Sequence, residues 1–267
     1  MPSRMINGYE LHYAESGSGE PLVLVHGTLN DQRSWAAQMQ VLGERYHVHA
    51  LSLRHFWPAQ WDGTGPGFTI AQHTDDVAAF LRSFGRPVRL IGHSRGGHIA
   101  FRVAQQYPDV VGDLVLAEPG GELDETLGGK PATGAQAAGF ARAAAEVAAG
   151  RVLEGMIMQA EATGGPGAWQ RRPEIRRQIA MDNARTLLGQ VNENRLPFSR
   201  AAAQAIRSRT LLLNGALTQP NFITVIEALA PVIADCRRQV IPNATHGMQA
   251  DNPAAFNAAV LDFFAGG

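Results

Sequence analysis

The sequence predicts an α/β fold with a mainly parallel sheet, and three observations predict it. The first is Pro21-Leu22-Val23-Leu24-Val25, a continuous apolar run of the kind carried by a strand buried on both faces. The second is the alternation of such runs with helical patterns along most of the 267 residues. The third is one long interruption, residues 120–205, rich in alanine and helix formers and without a buried-strand pattern. It reads as a helical insertion into the sheet scaffold.

The elements follow in order. Asn7-Gly8 separates two short runs, the second containing Leu11-His12-Tyr13, and marks a two-residue hairpin. A Gly/Ser-rich turn at 16–19 leads into the apolar strand, which stops at His26-Gly27. Further strands are expected at 47–53, 88–91, 111–117, 210–214 and 238–241. Helical patterns lie between most of them, at 34–42, 69–84, 96–106, 222–233 and 253–264. Within the interruption the main expected helices are 139–159 and 173–190, joined by the loop Gly164-Gly165-Pro166-Gly167. Strand-helix alternation resumes afterwards, so residues 1–119 and 206–267 are assigned to one core and 120–205 to a helical cap. There is no internal repeat, and the alanine bias reflects helix propensity.

Composition narrows the function classes. A chain of 267 residues can bury a substantial core, and 45% apolar with 18% charged residues suits a globular protein. Lys and Arg number 23 against 24 Asp and Glu, with no basic block, which leaves no electrostatic footprint for nucleic acid or an anionic membrane. Cys236 is the single cysteine; an intrachain disulfide is excluded and a cysteine-built metal site disfavoured, as fits a reducing cytoplasm. Residues 1–13 carry no apolar run of signal-peptide type, and no later segment reaches the roughly 20 apolar residues of a membrane span. A soluble cytoplasmic protein is expected.

Residues 88–100 pass from a predicted strand through Gly92-His93-Ser94-Arg95-Gly96 into a predicted helix. A serine on so sharp a turn takes a strained backbone conformation, and the flanking glycines leave room for it. The turn pushes the hydroxyl toward substrate. The following helix start sets the Arg95 amide and the positive end of the helix dipole beside any oxyanion that forms.

Three motifs together resemble the α/β-hydrolase superfamily: Val25-His26-Gly27 after the third strand, the serine turn at Ser94, and Asn243-Ala244-Thr245-His246-Gly247 after the last strand. The likeness runs from about residue 5 to residue 264. It implies the α/β-hydrolase fold, an eight-stranded mostly parallel sheet with an antiparallel second strand, flanked by helices and capped after the sixth strand. It also implies that Ser94 is the nucleophile and His246 its base, since histidine is suited to take a serine proton near neutral pH. His26 and His93 read as supporting residues, and His12, His47, His49, His73 and His98 carry no motif.

The acid departs from the commonest family pattern. Most relatives carry an aspartate a few residues past the seventh strand, where this chain has Leu213-Asn214-Gly215-Ala216-Leu217-Thr218-Gln219-Pro220 and no carboxylate. Thr218 stands in the expected place, but a hydroxyl does not stabilise an imidazolium by charge. Glu118, directly after the sixth strand, is chosen instead, since some superfamily members keep their acid there. The alternative is a Ser94-His246 dyad with Glu118 paired to an arginine; Asp124 and Asp251 are weaker candidates.

The resemblance places the oxyanion-hole amides at Arg95 and Thr28, with Leu29 as the alternative second donor. Loss of one such donor typically costs about 2.7–4 kcal/mol of transition-state stabilisation. Relatives often carry Asp-x-Arg-Gly after the fourth strand, where this chain has Ser52-Leu53-Arg54-His55. Arg54 either binds a substrate carboxylate or ties loops together. His26, Phe56 and Trp57 are further pocket candidates, as is Trp61, with packing the alternative for the aromatics.

The expected activity is carboxylesterase-like: cleavage of a small ester or similarly activated carbonyl through an acyl-enzyme, with no metal or organic cofactor required. Carbon-carbon bond hydrolysis of a diketone or ring-fission product is the alternative within enzymes. A non-catalytic ligand receptor on the same scaffold is the alternative outside them. Epoxide or haloalkane hydrolysis is disfavoured, because those members carry a carboxylate where Ser94 stands.

Overall fold

In the computed structural model, which describes residues 1–130 and 135–266, eight strands form one sheet. They are β1 (Ser3–Ile6), β2 (Tyr9–Ser16), β3 (Pro21–Val25), β4 (His47–Leu51), β5 (Val88–His93), β6 (Val111–Ala117), β7 (Arg209–Gly215) and β8 (Cys236–Ile241). Their spatial order is β1-β2-β4-β3-β5-β6-β7-β8. Only β2 runs antiparallel to its neighbours; β4 through β8 and β3 are parallel.

The β1–β2 hairpin turns at Asn7 and Gly8, both with positive φ (48° and 72°), as a type I′ connection requires. All five residues of β3 are buried, and successive side chains feed opposite faces. Val23 and Val25 join one apolar cluster with Leu90, Leu114, Leu116 and Leu212. Leu22 and Leu24 join the other with Ile91, Val115, Leu211 and Leu213.

Helices α2 (Ile70–Arg82), α3 (Arg95–Gln106) and α10 (Pro220–Leu229) contribute to the first cluster, through residues such as Phe80, Phe101 and Ile226. Helices α1 (Ala36–Gly43) and α12 (Pro253–Ala265) contribute to the second, through Leu42, Phe256 and Phe263. The starts are capped as the side chains allow: the Thr69 hydroxyl accepts from the Gln72 amide, and Asn252 accepts from Ala255 ahead of Pro253. The four-residue α11 (Met248–Asp251) precedes α12.

Among the described residues, those of 120–205 add no strand to the sheet. They carry α4 (Ala135–Ala148), α5 (Val152–Gly164), α6 (Ala168–Arg171), α7 (Glu174–Asp182), α8 (Thr186–Gln190) and α9 (Arg200–Gln204). Most of these helices share a third apolar cluster, built on Ala143, Val147, Met156, Trp169 and Leu187, which Leu29 of the core enters. Two expected helices each divide in two. The pattern at 139–159 is broken at Gly150, whose φ of +83° ends α4 and reverses the chain into α5. There α5 lies so close to α4 that a Cβ on Gly155 would sit 2.7 Å from the Ala143 carbonyl oxygen. The pattern at 173–190 is broken at Asn183, whose side-chain amide donates back to the Ile179 carbonyl at 2.9 Å and to Asp31 at 2.7 Å. Among the described residues no helix is long and apolar enough to cross a membrane.

Strand register positions the site. Val25 pairs with Gly92, His93 with Ala117, Ala117 with Leu213 and Gly215 with Ile241. The carboxyl ends of β3, β5, β6, β7 and β8 therefore fall on one edge. The segments that follow them, beginning at His26, Ser94, Glu118, Ala216 and Pro242, emerge side by side.

Candidate active site

Ser94 sits between β5 and α3 with φ 53° and ψ −117°, a conformation L-residues rarely adopt. The surrounding backbone holds it there. The Ser94 amide donates to the Ala117 carbonyl at 3.0 Å, and its own carbonyl accepts from His98 at 3.0 Å and Gly120 at 2.8 Å. The turn closes only because glycine flanks it. A Cβ on Gly92 would lie 2.3 Å from the Gly96 carbonyl oxygen, and one on Gly96 would lie 2.2 Å from that of Val25. The Ser94 side chain stands half-buried at the end of this turn.

His246 follows β8 on a loop bent at Asn243, φ 54°. Its ring stacks on Phe222 at the start of α10, centroids 3.9 Å apart and planes within 13°. Its backbone carbonyl accepts from His93 Nε2 at 2.8 Å, and His93 Nδ1 accepts from the Gln249 side chain at 3.3 Å. Burial, with the charge of His246 as the next cause, pushes His93 down to about 3. His93 is thus a neutral clamp on the His246 loop, with its proton on Nε2.

Glu118 leaves β6 with φ 43° and is fully buried. His246 Nδ1 lies 2.5 Å from its Oε2. The same oxygen accepts from the Thr218 hydroxyl at 2.8 Å, and Oε1 accepts from the Gly215 amide at 2.8 Å. The structure thus brings Glu118 to His246 and makes Thr218 a partner of that carboxylate. The weaker carboxylates are engaged locally. Asp124 accepts from Thr126, and Asp251 accepts from Thr245 and lies 3.4 Å from Arg176.

The His26-Gly27 loop runs against the Ser94 turn: a Cβ on Gly27 would lie 3.0 Å from Ser94 Cβ. His26 is fully buried, and burial pushes it down to about 4. It is therefore neutral, with Nδ1 donating to the Gly27 carbonyl at 2.9 Å and Nε2 accepting from Leu53 at 3.1 Å. It holds the loop and offers no face to a pocket. Thr28 donates its hydroxyl to Gln190 of α8 at 2.8 Å, and Leu29 turns with φ 56° into the third apolar cluster. Arg95 opens α3, where the first helical amides have no turn before them to accept their hydrogens.

The Arg95 side chain is buried as well. Its guanidinium pairs with Glu193 at 2.7 Å, donates to His73 Nδ1 at 3.0 Å and lies 5.0 Å from the Phe68 ring centre. Burial pushes the Glu193 carboxyl up, but the charges of Arg95 and Arg195 more than reverse this and hold it below the usual carboxylate range. Arg195 pairs with Glu193 at 2.7 Å and donates to the Gly120 carbonyl at 3.3 Å. This cluster fastens the helical segment to the Ser94 turn.

Four of the pocket candidates have packing or pairing partners in the fold. Arg54 grips the buried Asp76 through two bonds of 2.7 and 3.0 Å and lies 4.3 Å from the Tyr9 ring centre, so its charge is committed. Phe56 is fully buried, edge-on to His26 at 4.7 Å. Trp57 is half-buried beneath the Arg33 guanidinium at 3.8 Å, and its amide donates to Asn183 at 2.8 Å. Trp61 stacks on Phe68, centroids 4.9 Å apart. Sequence reasoning missed Phe222 and Glu193. Neither lies in a motif, and only proximity in the fold relates them to the site.

Comparison with known proteins agrees with this fold. The sequence pattern of the alpha/beta hydrolase family matches residues 22–259. A soluble epoxide hydrolase of Corynebacterium sp. strain C12 is 36% identical over 115 residues, covering 43% of this chain and 40% of that protein. The first relatives matched are spanned over only 34–40% of their own length. A hydrolase of Pseudomonas aeruginosa PA01 has a TM-score of 0.82 at 23% identity, covering 98% of this chain and 97% of that one, a likeness of fold. A thermophilic esterase from Thermogutta terrifontis has a TM-score of 0.77 at 25% identity, covering 99% and 97%. With 22–259 matched, and with the strand order and the Ser94 turn described above, this chain belongs to the alpha/beta hydrolase family.

Proposed function

We propose that the chain is a serine hydrolase of small esters or similarly activated carbonyl compounds, with Ser94 as nucleophile, His246 as base and Glu118 as acid. The observation that carries this reading is His246 Nδ1 lying 2.5 Å from the buried Glu118 carboxylate. That contact leaves the other ring nitrogen free to take a serine proton. It also supplies the charge that Thr218 lacks, which favours an enzyme over a receptor.

In the proposed reaction His246 Nε2 takes the Ser94 hydroxyl proton as Oγ bonds to the carbonyl carbon. The oxyanion is held by the amides of Arg95 and Thr28, with Leu29 as the alternative second donor. Collapse breaks the ester bond, and His246 returns the proton to the departing alcohol. Water, deprotonated by the same imidazole, then attacks the acyl-enzyme and releases the acid and free Ser94. Every step is performed by residues of the chain, and the helices α4 to α9 are read as its cap.

The epoxide hydrolase relative raises a second reading, opening of an epoxide ring. Ser94 argues against it. Attack by a serine oxygen on an epoxide carbon yields an ether, which has no carbonyl for water to attack. A fluorophosphonate probe tests the proposal. One adduct per chain by intact mass, absent from Ser94→Ala, is expected together with p-nitrophenyl acetate hydrolysis. A folded wild type that is neither labelled nor active refutes it.

A further inference from the structure

The sequence places His47 and His49 outside any motif, but the sheet gathers them around a third potential ligand. They are two residues apart on β4 and so share one face, and Glu15 on β2 pairs in register with His49. His47 Nε2 lies 3.4 Å from Glu15 Oε2, His49 Nε2 lies 3.9 Å from the same oxygen, and the three donor atoms all lie within 4.8 Å of one another. We infer that Glu15, His47 and His49 form a zinc-binding site unrelated to the catalytic centre.

The spacing is that of a coordination shell about to close. With metal-ligand bonds of about 2.0–2.1 Å, the donors of a tetrahedral zinc stand roughly 3.4 Å apart. The His47–Glu15 edge has this length, and the His49–Glu15 edge needs about half an ångström of side-chain rotation. Two imidazoles and one carboxylate are a donor set suited to Zn²⁺.

The most buried ligand is also fixed. His49 is nearly inaccessible, and its Nδ1 lies 3.0 Å from the His47 carbonyl oxygen. A proton on Nδ1 makes that contact a hydrogen bond and leaves the Nε2 lone pair facing Glu15, the outer-shell arrangement that orients a metal-binding histidine. The ring is braced by Tyr13, Phe80 and Phe84, with centroid separations of 5.5, 6.0 and 5.0 Å. Glu15 and His47 are partly exposed, which gives the ion a path in and leaves a fourth position for water.

Location defines the role. His47 begins β4, at the end of the sheet opposite the carboxyl edge that bears Ser94. Among the described residues, the β1–β2 hairpin joins the sheet through the pairing of β2 with β4. An ion held by Glu15 and both histidines would staple that antiparallel edge to the parallel core.

Isothermal titration of the tag-free full-length chain with Zn²⁺, and thermal unfolding with and without Zn²⁺, test this. One Zn²⁺ per chain and a raised Tm are expected; at free Zn²⁺ about 100 times Kd the folding equilibrium shifts about 100-fold. Glu15→Gln and His47→Gln, both at partly exposed positions, each raise Kd about 10-fold or more and abolish the Tm shift. The assignment is overturned if the wild type binds no Zn²⁺ at about 100 μM, or if both variants bind as it does.

Discussion

Replacing Glu118 by Gln keeps the shape of the side chain and removes its charge. In the wild type the two carboxylate oxygens face three donors: the Gly215 amide, the Thr218 hydroxyl and His246 Nδ1. A carboxamide has one oxygen, so either orientation turns an NH₂ group toward at least one of those donors. If it faces His246, the ring must carry its proton on Nε2, the nitrogen that receives the serine proton in the proposed reaction. The missing charge adds to this. At a separation of about 4 Å and an effective dielectric constant near 20, the carboxylate stabilises an imidazolium by about 4 kcal/mol. Each 1.4 kcal/mol is roughly tenfold in rate, so kcat/KM on p-nitrophenyl acetate is expected to fall about 10³–10⁴-fold. KM should change little, because the imidazolium develops with the transition state. Circular dichroism and Tm establish that the variant is folded. A folded Glu118→Gln enzyme within about tenfold of wild-type kcat/KM would refute the reasoning and leave a Ser94-His246 dyad.

Further outcomes follow from the same contacts. Glu193→Ala leaves the buried Arg95 guanidinium without its carboxylate; the expected cost is about 3–5 kcal/mol, or roughly 10 °C in Tm, and a Tm within about 2 °C of wild type would contradict it. Gly92→Ala places a methyl group 2.3 Å from the Gly96 carbonyl oxygen and 2.7 Å from Ala100 Cβ. It should destabilise by about 3 kcal/mol or more and slow phosphonate labelling, and unchanged urea unfolding would count against the packing described. Stability should fall on acidification, because His26 and His93 are held neutral by burial, at about 4 and about 3. Their folded pKa lies below the unfolded value of about 6.5, so the stabilisation is complete above that pH and lost as pH falls toward the folded values. Each group removes up to about 1.4 kcal/mol per pH unit, which makes the pair worth about 3–4 kcal/mol between pH 6.5 and 5. Urea midpoints that stay level over that interval would disprove the buried neutral state of both.

Some features were legible because their causes are local. Asn7-Gly8 announces its hairpin through backbone freedom at two adjacent residues, and the turn at Ser94 does so through glycines within two positions of the serine. The run at β3 identifies a strand covered on both faces because no side of it is polar. The helical segment was legible in composition but not in detail. Alanine up to Ala149 and other helix formers beyond it promote helix across 139–159, and the reversal at Gly150 is decided by which faces of α4 and α5 must meet.

The aromatic stretch after β4 shows the same limit, because Phe56 and Trp61 have one chemistry whether they line a pocket or fill a core. Their burial and stacking depend on Phe68 and His26, residues from other segments. His47 and His49 likewise share a face by strand periodicity, yet Glu15 reaches them only through the pairing of β2 with β4.

The Ser94 turn and the fold class were thus determined by the sequence itself, since glycine spacing and apolar periodicity act over a few residues. The partners around that turn were decided by tertiary structure alone. Glu118 and His246 are 128 residues apart, and their contact exists because parallel register brings the carboxyl ends of β6, β7 and β8 to one edge. The sequence marks Glu118 as a candidate; only the assembled sheet places its carboxylate against the imidazole.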